Sequence, residues 1–373
     1  MRSRVILLNP GPVTLSERVR RALTGPDLCH REVEFSQLQE TIRERLLRVY
    51  GLAPERWAAV LLTGSGTAAV EAMVSSLVPK DGKLLVIENG VYGERMRKIA
   101  ETHGIEYKSV KHSWGEEVGL ERLEAALAEA DGLTHVAMVH HETTTGRLNR
   151  LDRIGAICAA RGLGLLVDGV SSFGAEELDF EGWGIAACAA TANKCLHGVP
   201  GTSFVIVRRE ALSTNDRPLR TLYLDLPTYC REQDRGGTPF TQSVQTLYAL
   251  REGLAELEEE GGWPARRERY RRLIGFVREG LAAMGIAPVL PQDASSVVLN
   301  AFRLPDGIGY GELHDRLKDE GFVIYAGQGG LANSIFRVST MGAIDHADMA
   351  RFLAATGKII ARRGAAVAGR KQG

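Results

Sequence analysis

Lysine is scarce in this chain. Of its 46 lysine and arginine residues only nine are lysines, and between Lys111 and Lys318 the single lysine is Lys194, within the stretch TANKCLHG. A guanidinium stays protonated up to about pH 12 and cannot act as a neutral amine, whereas the pKa of an ammonium group can be lowered until the amine attacks a carbonyl carbon. Lys194 is therefore a candidate for covalent chemistry, and a solvated loop lysine is the ordinary alternative.

Cysteines and long apolar runs are few as well. The five cysteines form no CxxC pair, and an odd number without such a pair is typical of reduced thiols rather than of a disulfide framework or a zinc site. The apolar run nearest the first residue, at 5–8, is too short for a signal peptide or a membrane span. We therefore expect a cytoplasmic protein.

The chain has no net charge. Its 46 lysines and arginines balance 46 aspartates and glutamates, which predicts no strong attraction to nucleic acid or to an anionic membrane. Hydrophobic residues make up 44% and charged residues 25%, as in soluble globular proteins, which argues against disorder and against a fibrous chain. A length of 373 residues allows two or three domains, or one large domain with a smaller one.

Short apolar runs alternate with amphipathic stretches from residue 83 onward. The runs at 83–89, 135–142 and 164–168 are typical of buried strands, and the stretches between them are typical of helices. Strands joined by helices predict an α/β fold with a mostly parallel sheet covered by helices on both faces. The stretch 216–241, rich in proline, glycine and polar residues, is predicted to be a loop that leads through two helices into a smaller α+β domain.

Four polar segments follow apolar runs, at the carboxyl ends of strands where open α/β sheets bind their ligands. The first is the turn Gly64 to Thr67 before a helix, whose free backbone amides either bind a phosphate group or are capped by Ser65 or Thr67. The second is Asp168, whose carboxylate at the end of a buried strand requires a cation or a hydrogen-bond donor. A helix cap, a salt bridge or a protonated pyridine nitrogen would each satisfy that carboxylate.

The third segment, at 140–145, contains two histidines, a glutamate and three threonines. Adjacent residues of a strand point to opposite faces, so His140, His141 and Glu142 are not expected to bind one metal ion together. The threonine hydroxyls are better placed to bind a ligand at the sheet edge. We therefore expect no metal site in this segment.

Lys194 lies in the fourth segment, among small residues and downstream of Asp168. Beside it, Cys195 is expected to be a buried thiol, since no histidine and aspartate are arranged to activate it, and His197 is expected to pack. A phosphate-binding turn, an aspartate for a ring nitrogen, hydroxyls for a ring oxygen and a lysine able to form an imine are what pyridoxal 5'-phosphate requires. The four segments together predict a site for this cofactor.

Segments along nearly the whole chain resemble the class V aminotransferases of fold type I, and within that family the 2-aminoethylphosphonate:pyruvate transaminases. The segments are LLNPGPVT, GSGTAAVEA, NGVYGERM, HHETTTGRLN, VDGVSSFG, ANKCLHGVPGTSFVIV, GFVIYAG and FRVST. The resemblance implies an N-terminal segment at 1–15 that lines the active site, a large cofactor-binding domain at 16–255 and a small C-terminal domain at 256–373. It also implies a homodimer with shared active sites.

The resemblance assigns catalysis to two residues. It implies that Lys194 forms the imine with the cofactor and moves the proton between the substrate carbon and the cofactor, while Asp168 pairs with the pyridine nitrogen. Tyr92 falls where the family stacks an aromatic ring on the cofactor, although core packing would also account for a tyrosine there. Thr143 is implied to reach the ring oxygen.

Further implied contacts are made with the cofactor phosphate. Ser65, Gly66 and Thr67 are implied to hold it, with Asn193 nearby. Thr241 is implied to reach the phosphate of the cofactor bound by the other subunit. The site is therefore expected to be complete only in the dimer.

Arg337 is implied to receive the acid group of each substrate in turn, since a bidentate guanidinium suits both carboxylate and phosphonate. The implied reaction moves the amino group of 2-aminoethylphosphonate to pyruvate and gives phosphonoacetaldehyde and L-alanine. The chain departs from the family pattern in the loop YAGQGG, where Ala326 and Gln328 replace a proline and a lysine. The identity of the amine donor depends on this loop.

Alternatives inside and outside the family remain open. An alanine:glyoxylate or serine transaminase would share the lysine, the aspartate and the arginine, and a non-catalytic protein that binds pyridoxal phosphate would keep the cofactor site alone. A cysteine desulfurase is disfavoured because that branch has histidines where this chain has Tyr92 and Asn193. A dehydrogenase is disfavoured because the chain has no GxGxxG fingerprint.

Overall fold

The computed structural model describes residues 4–212 and 219–370. Its strands, in chain order, are β1 (Ile6–Leu7), β2 (Trp57–Gly64), β3 (Lys83–Glu88), β4 (Tyr107–Lys111), β5 (Leu133–Val139), β6 (His141–Glu142), β7 (Arg147–Leu148), β8 (Gly164–Asp168), β9 (Ile185–Thr191), β10 (Gly201–Arg208), β11 (Leu299–Arg303), β12 (Phe322–Val323), β13 (Tyr325–Ala326) and β14 (Ile335–Ser339).

The helices connect and cover these strands. They are α1 (Glu17–Ala22), α2 (Val33–Arg48), α3 (Gly66–Leu77), α4 (Val91–Thr102), α5 (Leu120–Ala128), α6 (Leu151–Ala159), α7 (Arg209–Leu212), α8 (Leu226–Asp234), α9 (Val244–Glu260), α10 (Gly262–Ala283), α11 (Tyr310–Asp319) and α12 (His346–Arg370). None of the helices in the described ranges is long and apolar enough to cross a membrane.

Seven strands form the central sheet, in the order β2-β10-β9-β8-β5-β3-β4. Strands β9, β8, β5, β3 and β4 are parallel neighbours, whereas β10 runs antiparallel to both β2 and β9. The three predicted strands are present as β3, β5 and β8, so the prediction of a mostly parallel α/β sheet is confirmed. Only about nine residues separate β9 from β10, fewer than a parallel crossover needs, which accounts for the one reversed strand.

Both faces of the central sheet are apolar and covered. Along β2, Ala59 and Leu61 pack into one core with helices α2, α5, α6 and α9, while Val60 and Leu62 pack into a second core with α3, α4 and α8. Successive side chains of a strand point to opposite faces, so a strand covered on both sides must be apolar throughout. This arrangement explains the unbroken apolar runs of the sequence.

A third core forms around the C-terminal strands. The order β11-β14-β13 gives an antiparallel sheet, and α10, α11 and α12 pack beside it. Strand β1, from the start of the chain, pairs in parallel with β12, with Ile6 opposite Phe322 and Leu7 opposite Val323. Strands β1 and β12 form a two-stranded sheet of their own, and the segment after β1 stays beside the C-terminal strands, where the amide of Ser339 donates to the backbone oxygen of Leu8 and Thr14 pairs with Gly342. The boundaries at residues 15 and 255 stay a prediction.

The predicted loop at 216–241 contains a helix, α8, so that prediction was wrong in part; residues 216–218 lie outside the described ranges. Asp225 caps the helix, because its Oδ2 accepts a hydrogen bond of 3.1 Å from the amide of Thr228. Pro227 lies in the first turn, where the missing amide proton costs nothing. Leu226 and Tyr229 are buried and bind the helix to the second core.

Candidate active site

Lys194 lies in the turn that follows β9, and its amine meets the N-terminal segment. Its Nζ donates a hydrogen bond to the backbone oxygen of Pro10. A Cβ at Gly11, whose φ is +115°, would lie 2.8 to 2.9 Å from Cδ, Cε and Nζ of Lys194, so only glycine fits beside this side chain. Burial disfavours the ammonium form and lowers the pKa of Lys194 to about 8.

Asp168 ends β8, the strand beside β9, and is buried. Its Oδ1 accepts a hydrogen bond of 3.0 Å from the amide of Val170. Burial raises the pKa of Asp168 to about 6, and the charges of Arg95 and Lys194 only partly oppose this rise. Among the described residues no basic side chain lies within salt-bridge distance of Asp168, so its carboxylate lacks the close cation that a buried carboxylate requires.

The segment after β5 lies beside Asp168, since the amide of His140 donates to the backbone oxygen of Asp168 at 3.0 Å. Burial lowers the pKa of His140 to about 3 and that of His141 to about 4, so both rings are neutral. Nowhere in the described ranges are three histidine, cysteine, aspartate or glutamate side chains placed to hold a metal ion. Thr143 is buried, and its hydroxyl has no partner among the described residues.

Glu142 holds the start of helix α4. Its Oε2 accepts hydrogen bonds of 3.2 Å from the amides of Tyr92 and Gly93, and its Oε1 accepts one of 2.6 Å from the hydroxyl of Thr144. Burial raises the pKa of Glu142 to about 7, more than these hydrogen bonds lower it. Glu142 therefore fixes the first turn of the helix that carries Tyr92.

The glycine and hydroxyl turn lies between β2 and α3. Ser65 occupies the N-cap position of α3, but its side chain makes no capping hydrogen bond, and so the first amides of the helix keep no side-chain cap. Gly66 lies against Val170, where an added Cβ would approach a methyl carbon to 2.8 Å. We call Ser65, Gly66 and Thr67 the phosphate turn. Asn193 is close to β9, with its Oδ1 accepting from the hydroxyl of Thr191 at 2.8 Å.

Arg337, in β14, is buried with 1% of its surface exposed. Its Nε donates to the backbone oxygen of Ala326 and its Nη1 to that of Thr143, each at 2.9 Å. Its Nη2 is buried and has no hydrogen-bond partner in the part of the chain that the structure describes. Burial lowers the pKa of Arg337 from its ordinary value. A buried guanidinium with a free donor and no carboxylate partner is suited to bind an anion.

Thr241 differs from the other predicted site residues because it is exposed, in the loop before α9. Its neighbour Gln242 accepts a hydrogen bond of 3.0 Å from the hydroxyl of Thr63, near the carboxyl end of β2. Thr241 therefore lies on the surface near the end of the strand that precedes the phosphate turn.

Cys195 and His197 lie in the same turn as Lys194 and stabilise it. Both are buried, and burial raises the pKa of the Cys195 thiol to about 12, so it is not a thiolate at neutral pH. The amide of His197 donates to the backbone oxygen of Lys194 at 3.0 Å, and its Nε2 accepts from the amide of Gly342 at 3.0 Å. His197 has a φ of +58°, in the left-handed region. Its role in this structure is to hold the turn.

These groups fit the cofactor that the sequence predicts. In the part of the chain that the structure describes, Asp168 lacks a close cation, the hydroxyl of Thr143 lacks a partner and the helix amides of the phosphate turn lack a side-chain cap. A protonated ring nitrogen, a ring oxygen and a phosphate group would meet these three needs respectively. The sequence interpretation gave no individual role to Pro10, Gly11 or Arg95, although these residues lie in two segments that carry the resemblance, LLNPGPVT and NGVYGERM.

The chain is similar to known proteins over most of its length. The profile of the family Aminotransferase class-V matches residues 21–328. The chain is 37% identical over 363 residues to a 2-aminoethylphosphonate--pyruvate transaminase of Vibrio vulnificus strain CMCP6, covering 96% of this chain and 98% of that protein. It is 39% identical over 345 residues to a protein of the same name from Aeromonas hydrophila, covering 90% of each.

The fold of the chain is also similar to that of solved structures. An alanine--glyoxylate aminotransferase from Nostoc sp. superimposes with a TM-score of 0.88 at 26% sequence identity, covering 96% of both chains. The matched profile spans most of the chain, and the relatives exceed a third in identity over nearly its full length. The chain belongs to the class V aminotransferases, a family of enzymes that depend on pyridoxal 5'-phosphate.

Proposed function

We propose that this aminotransferase moves the amino group of 2-aminoethylphosphonate to pyruvate and releases phosphonoacetaldehyde and L-alanine. The observation that carries the proposal is the buried Nη2 of Arg337, which has no hydrogen-bond partner among the described residues; the charge of Arg337 also acts on Lys194. A site that presents a guanidinium near its reactive amine selects a substrate whose amino group and acid group are separated by a short spacer. The names of the relatives at 37% and 39% identity support the choice of donor and acceptor.

Lys194 supplies the reactive amine and moves the proton. Because the pKa of Lys194 is about 8, roughly a tenth of its side chains are neutral at pH 7 before any substrate binds. The cofactor, when bound, withdraws electrons from the substrate carbon and so makes its proton acidic. With the cofactor bound, Lys194 would take that proton from the substrate carbon and return it to the cofactor, and Gly11 leaves its side chain room to do so.

The other residues of the site would bind the cofactor and orient it. Asp168 would keep a proton on the ring nitrogen, Tyr92 would cover the ring and Thr143 would donate to the ring oxygen. The phosphate turn and Asn193 would hold the phosphate. The absence of a salt bridge to Asp168 within the described ranges supports its role, since a second cation at that carboxylate would compete with the protonated ring.

Arg337 binds both substrates, one after the other. Phosphonate and carboxylate each offer two oxygens to a guanidinium, so one arginine serves donor and acceptor in a ping-pong exchange. Its contacts with the backbone oxygens of Ala326 and Thr143 fix the plane of the guanidinium before the substrate arrives. Such a preorganised group loses little entropy on binding.

The protein acts as a homodimer, in which Thr241 of each subunit reaches the phosphate bound by the other. Its exposure in a single chain supports this arrangement, as does the exposure of the apolar side chains Leu219, Leu222 and Tyr223. Light scattering should give twice the chain mass of 40.6 kDa, whereas a single-chain mass would contradict the shared site. We also propose that the enzyme works in the cytoplasm.

A substrate screen tests the proposed reaction. Purified protein is supplied with 2-aminoethylphosphonate, L-alanine or L-serine as donor and with pyruvate or glyoxylate as acceptor, and new amino acids are measured by chromatography. We expect alanine to form from 2-aminoethylphosphonate and pyruvate, and Lys194→Ala to abolish its formation. Good turnover of alanine or serine with glyoxylate, without turnover of 2-aminoethylphosphonate, would instead support the glyoxylate transaminase alternative.

A further inference from the structure

Arg95 is a cation of the active site that the proposed reaction leaves without a role. It lies on α4, three residues after Tyr92, so both side chains share one face of the helix. Its guanidinium carbon lies 4.7 Å from the centre of the Tyr92 ring. Its Nη1 donates a hydrogen bond of 3.1 Å to the hydroxyl of Thr67. Arg95 therefore joins the phosphate turn to Tyr92, at the start of α4.

No carboxylate satisfies the charge of Arg95. Among the described residues none lies within salt-bridge distance of it, and its one hydrogen bond to a side chain goes to the neutral hydroxyl of Thr67. Arg97, two residues further along the same helix, pairs with Glu88 at 3.3 Å and with Glu101 at 3.1 Å. The contrast shows that carboxylates are available along this helix and that none of them is placed to pair with Arg95.

The site as a whole carries an excess of positive charge. Arg95, Lys194 and Arg337 are cationic, while burial raises the pKa values of Asp168 and Glu142 to about 6 and about 7; near pH 7 Asp168 is then mostly ionised and Glu142 about half protonated, so these two carboxyls do not balance the three cations. Arg337 is held by two backbone oxygens at the other end of the site, beside Thr143, and the charge at the phosphate turn is therefore that of Arg95. A phosphate ester carries a charge of about −1.5 to −2 near pH 7 and would offset this excess.

We propose that Arg95 binds the phosphate group of pyridoxal 5'-phosphate as the cation of the phosphate turn, and that it gives the site its preference for the phosphorylated cofactor. The backbone amides at the start of α3 would orient the phosphate through directional hydrogen bonds. The guanidinium would add a full positive charge and a planar pair of donors. The hydrogen bond to Thr67 aims the guanidinium, and its stacking on Tyr92 limits its motion. The inference rests on cofactor dependence and is independent of the identity of the amine donor.

The test compares two ligands that differ only in the phosphate. Dissociation constants of pyridoxal 5'-phosphate and of pyridoxal are measured on the cofactor-free full chain by absorbance and by quenching of tryptophan fluorescence. For Arg95→Gln we expect the affinity for pyridoxal 5'-phosphate to fall by about 10-fold or more, as for loss of a charge-assisted hydrogen bond, and the affinity for pyridoxal to change by less than about 2-fold. Arg95→Lys, which keeps the charge, should recover part of the loss.

Arg97→Gln is the matched control, because it removes a guanidinium from the same helix and should leave the ratio of the two affinities unchanged. Inorganic phosphate should compete with pyridoxal 5'-phosphate in the parent and in Arg97→Gln, and at least about 10-fold less effectively in Arg95→Gln. Equal losses for the two ligands in Arg95→Gln, or an unchanged ratio in that variant, would overturn the assignment. If Arg95→Gln does not fold, the ratio of the affinities for pyridoxal 5'-phosphate and pyridoxal in Arg95→Lys tests the assignment instead. Failure of the parent to bind pyridoxal 5'-phosphate would instead contradict the cofactor dependence.

Discussion

Replacement of Glu142 by glutamine should flatten the dependence of stability on pH. Glu142 is fully buried beside the active site, and burial raises the pKa of its carboxyl from 4.5 to about 7. The folded chain therefore holds this proton more tightly than the unfolded chain does. Stability from this proton is fully present below pH 4.5 and is lost as the pH rises through about 7.

The size of the effect follows from the shift in pKa. A difference of about 2.5 units corresponds to roughly 3 kcal/mol, so the parent should lose about that much unfolding free energy between pH 4.5 and 7.5 through Glu142 alone. Asp168 adds a similar loss in both proteins, because its pKa is raised from 3.8 to about 6. Only the part due to Glu142 should disappear in Glu142→Gln.

The glutamine also lowers the unfolding free energy by a constant amount, which is separate from the dependence of stability on pH. Both oxygens of Glu142 accept hydrogen bonds, from the amides of Tyr92 and Gly93 and from Thr144, and the nitrogen of a carboxamide accepts none. At least one buried donor loses its acceptor, at a cost of about 1 to 3 kcal/mol that does not vary with pH. The variant should therefore be less stable at low pH and lose less stability as the pH rises.

Urea unfolding of the cofactor-free protein, followed by circular dichroism at half-unit steps from pH 4.5 to 8, measures both quantities. We expect the advantage of the parent at low pH to shrink by roughly 3 kcal/mol as the pH rises, so that the two curves converge and, where the constant cost is smaller than this, cross. Parallel curves, with the same loss of stability across this range, would refute the assignment of a buried titrating carboxyl to Glu142.

Three further changes test the contacts around the reactive amine. Gly11→Ala should lower kcat at least about 10-fold, because the new Cβ would lie 2.8 Å from the Lys194 side chain at a φ of +115°, whereas Gly51→Ala, at a φ of +65° with open space around it, should retain full activity in the same assay. Arg337→Gln should raise KM for both acid substrates about 10-fold or more, and an effect confined to one substrate would contradict a shared anion site. The rate of covalent attachment of pyridoxal 5'-phosphate, followed by stopped-flow absorbance, should rise with pH up to about 8, the pKa of Lys194, and then level off; a rate independent of pH would show that the amine is already neutral.

Much of the fold was predictable because it depends on local patterns. Unbroken apolar runs at β3, β5 and β8 indicated strands covered on both faces, and the intervening helices indicated parallel pairing. Helix α8 was missed because a proline and several polar residues are typical of loops. Its formation depends on the Asp225 cap and on burial of Leu226 against a distant core, which a local pattern does not reveal.

The site residues that lie at the ends of strands were predictable from the sequence. Asp168 and Lys194 come after neighbouring strands, so their approach follows from the sheet order. The contact of Lys194 with Pro10 joins positions 184 residues apart, and it depends on the tertiary placement of the N-terminal segment, whose strand β1 pairs with β12. Glu142 was considered only as a metal ligand, since its use as a cap for α4 requires the folded arrangement of both segments.

Trapping of the cofactor tests the assignment of Lys194 most directly. Protein incubated with pyridoxal 5'-phosphate is treated with borohydride, which fixes a lysine-bound aldehyde permanently, and is then digested and analysed by mass spectrometry. Of the nine lysines of the chain, we predict that Lys194 alone carries the label in stoichiometric amount and that Lys194→Ala carries none. Stoichiometric label on another lysine, or retained labelling and activity in Lys194→Ala, would contradict the account.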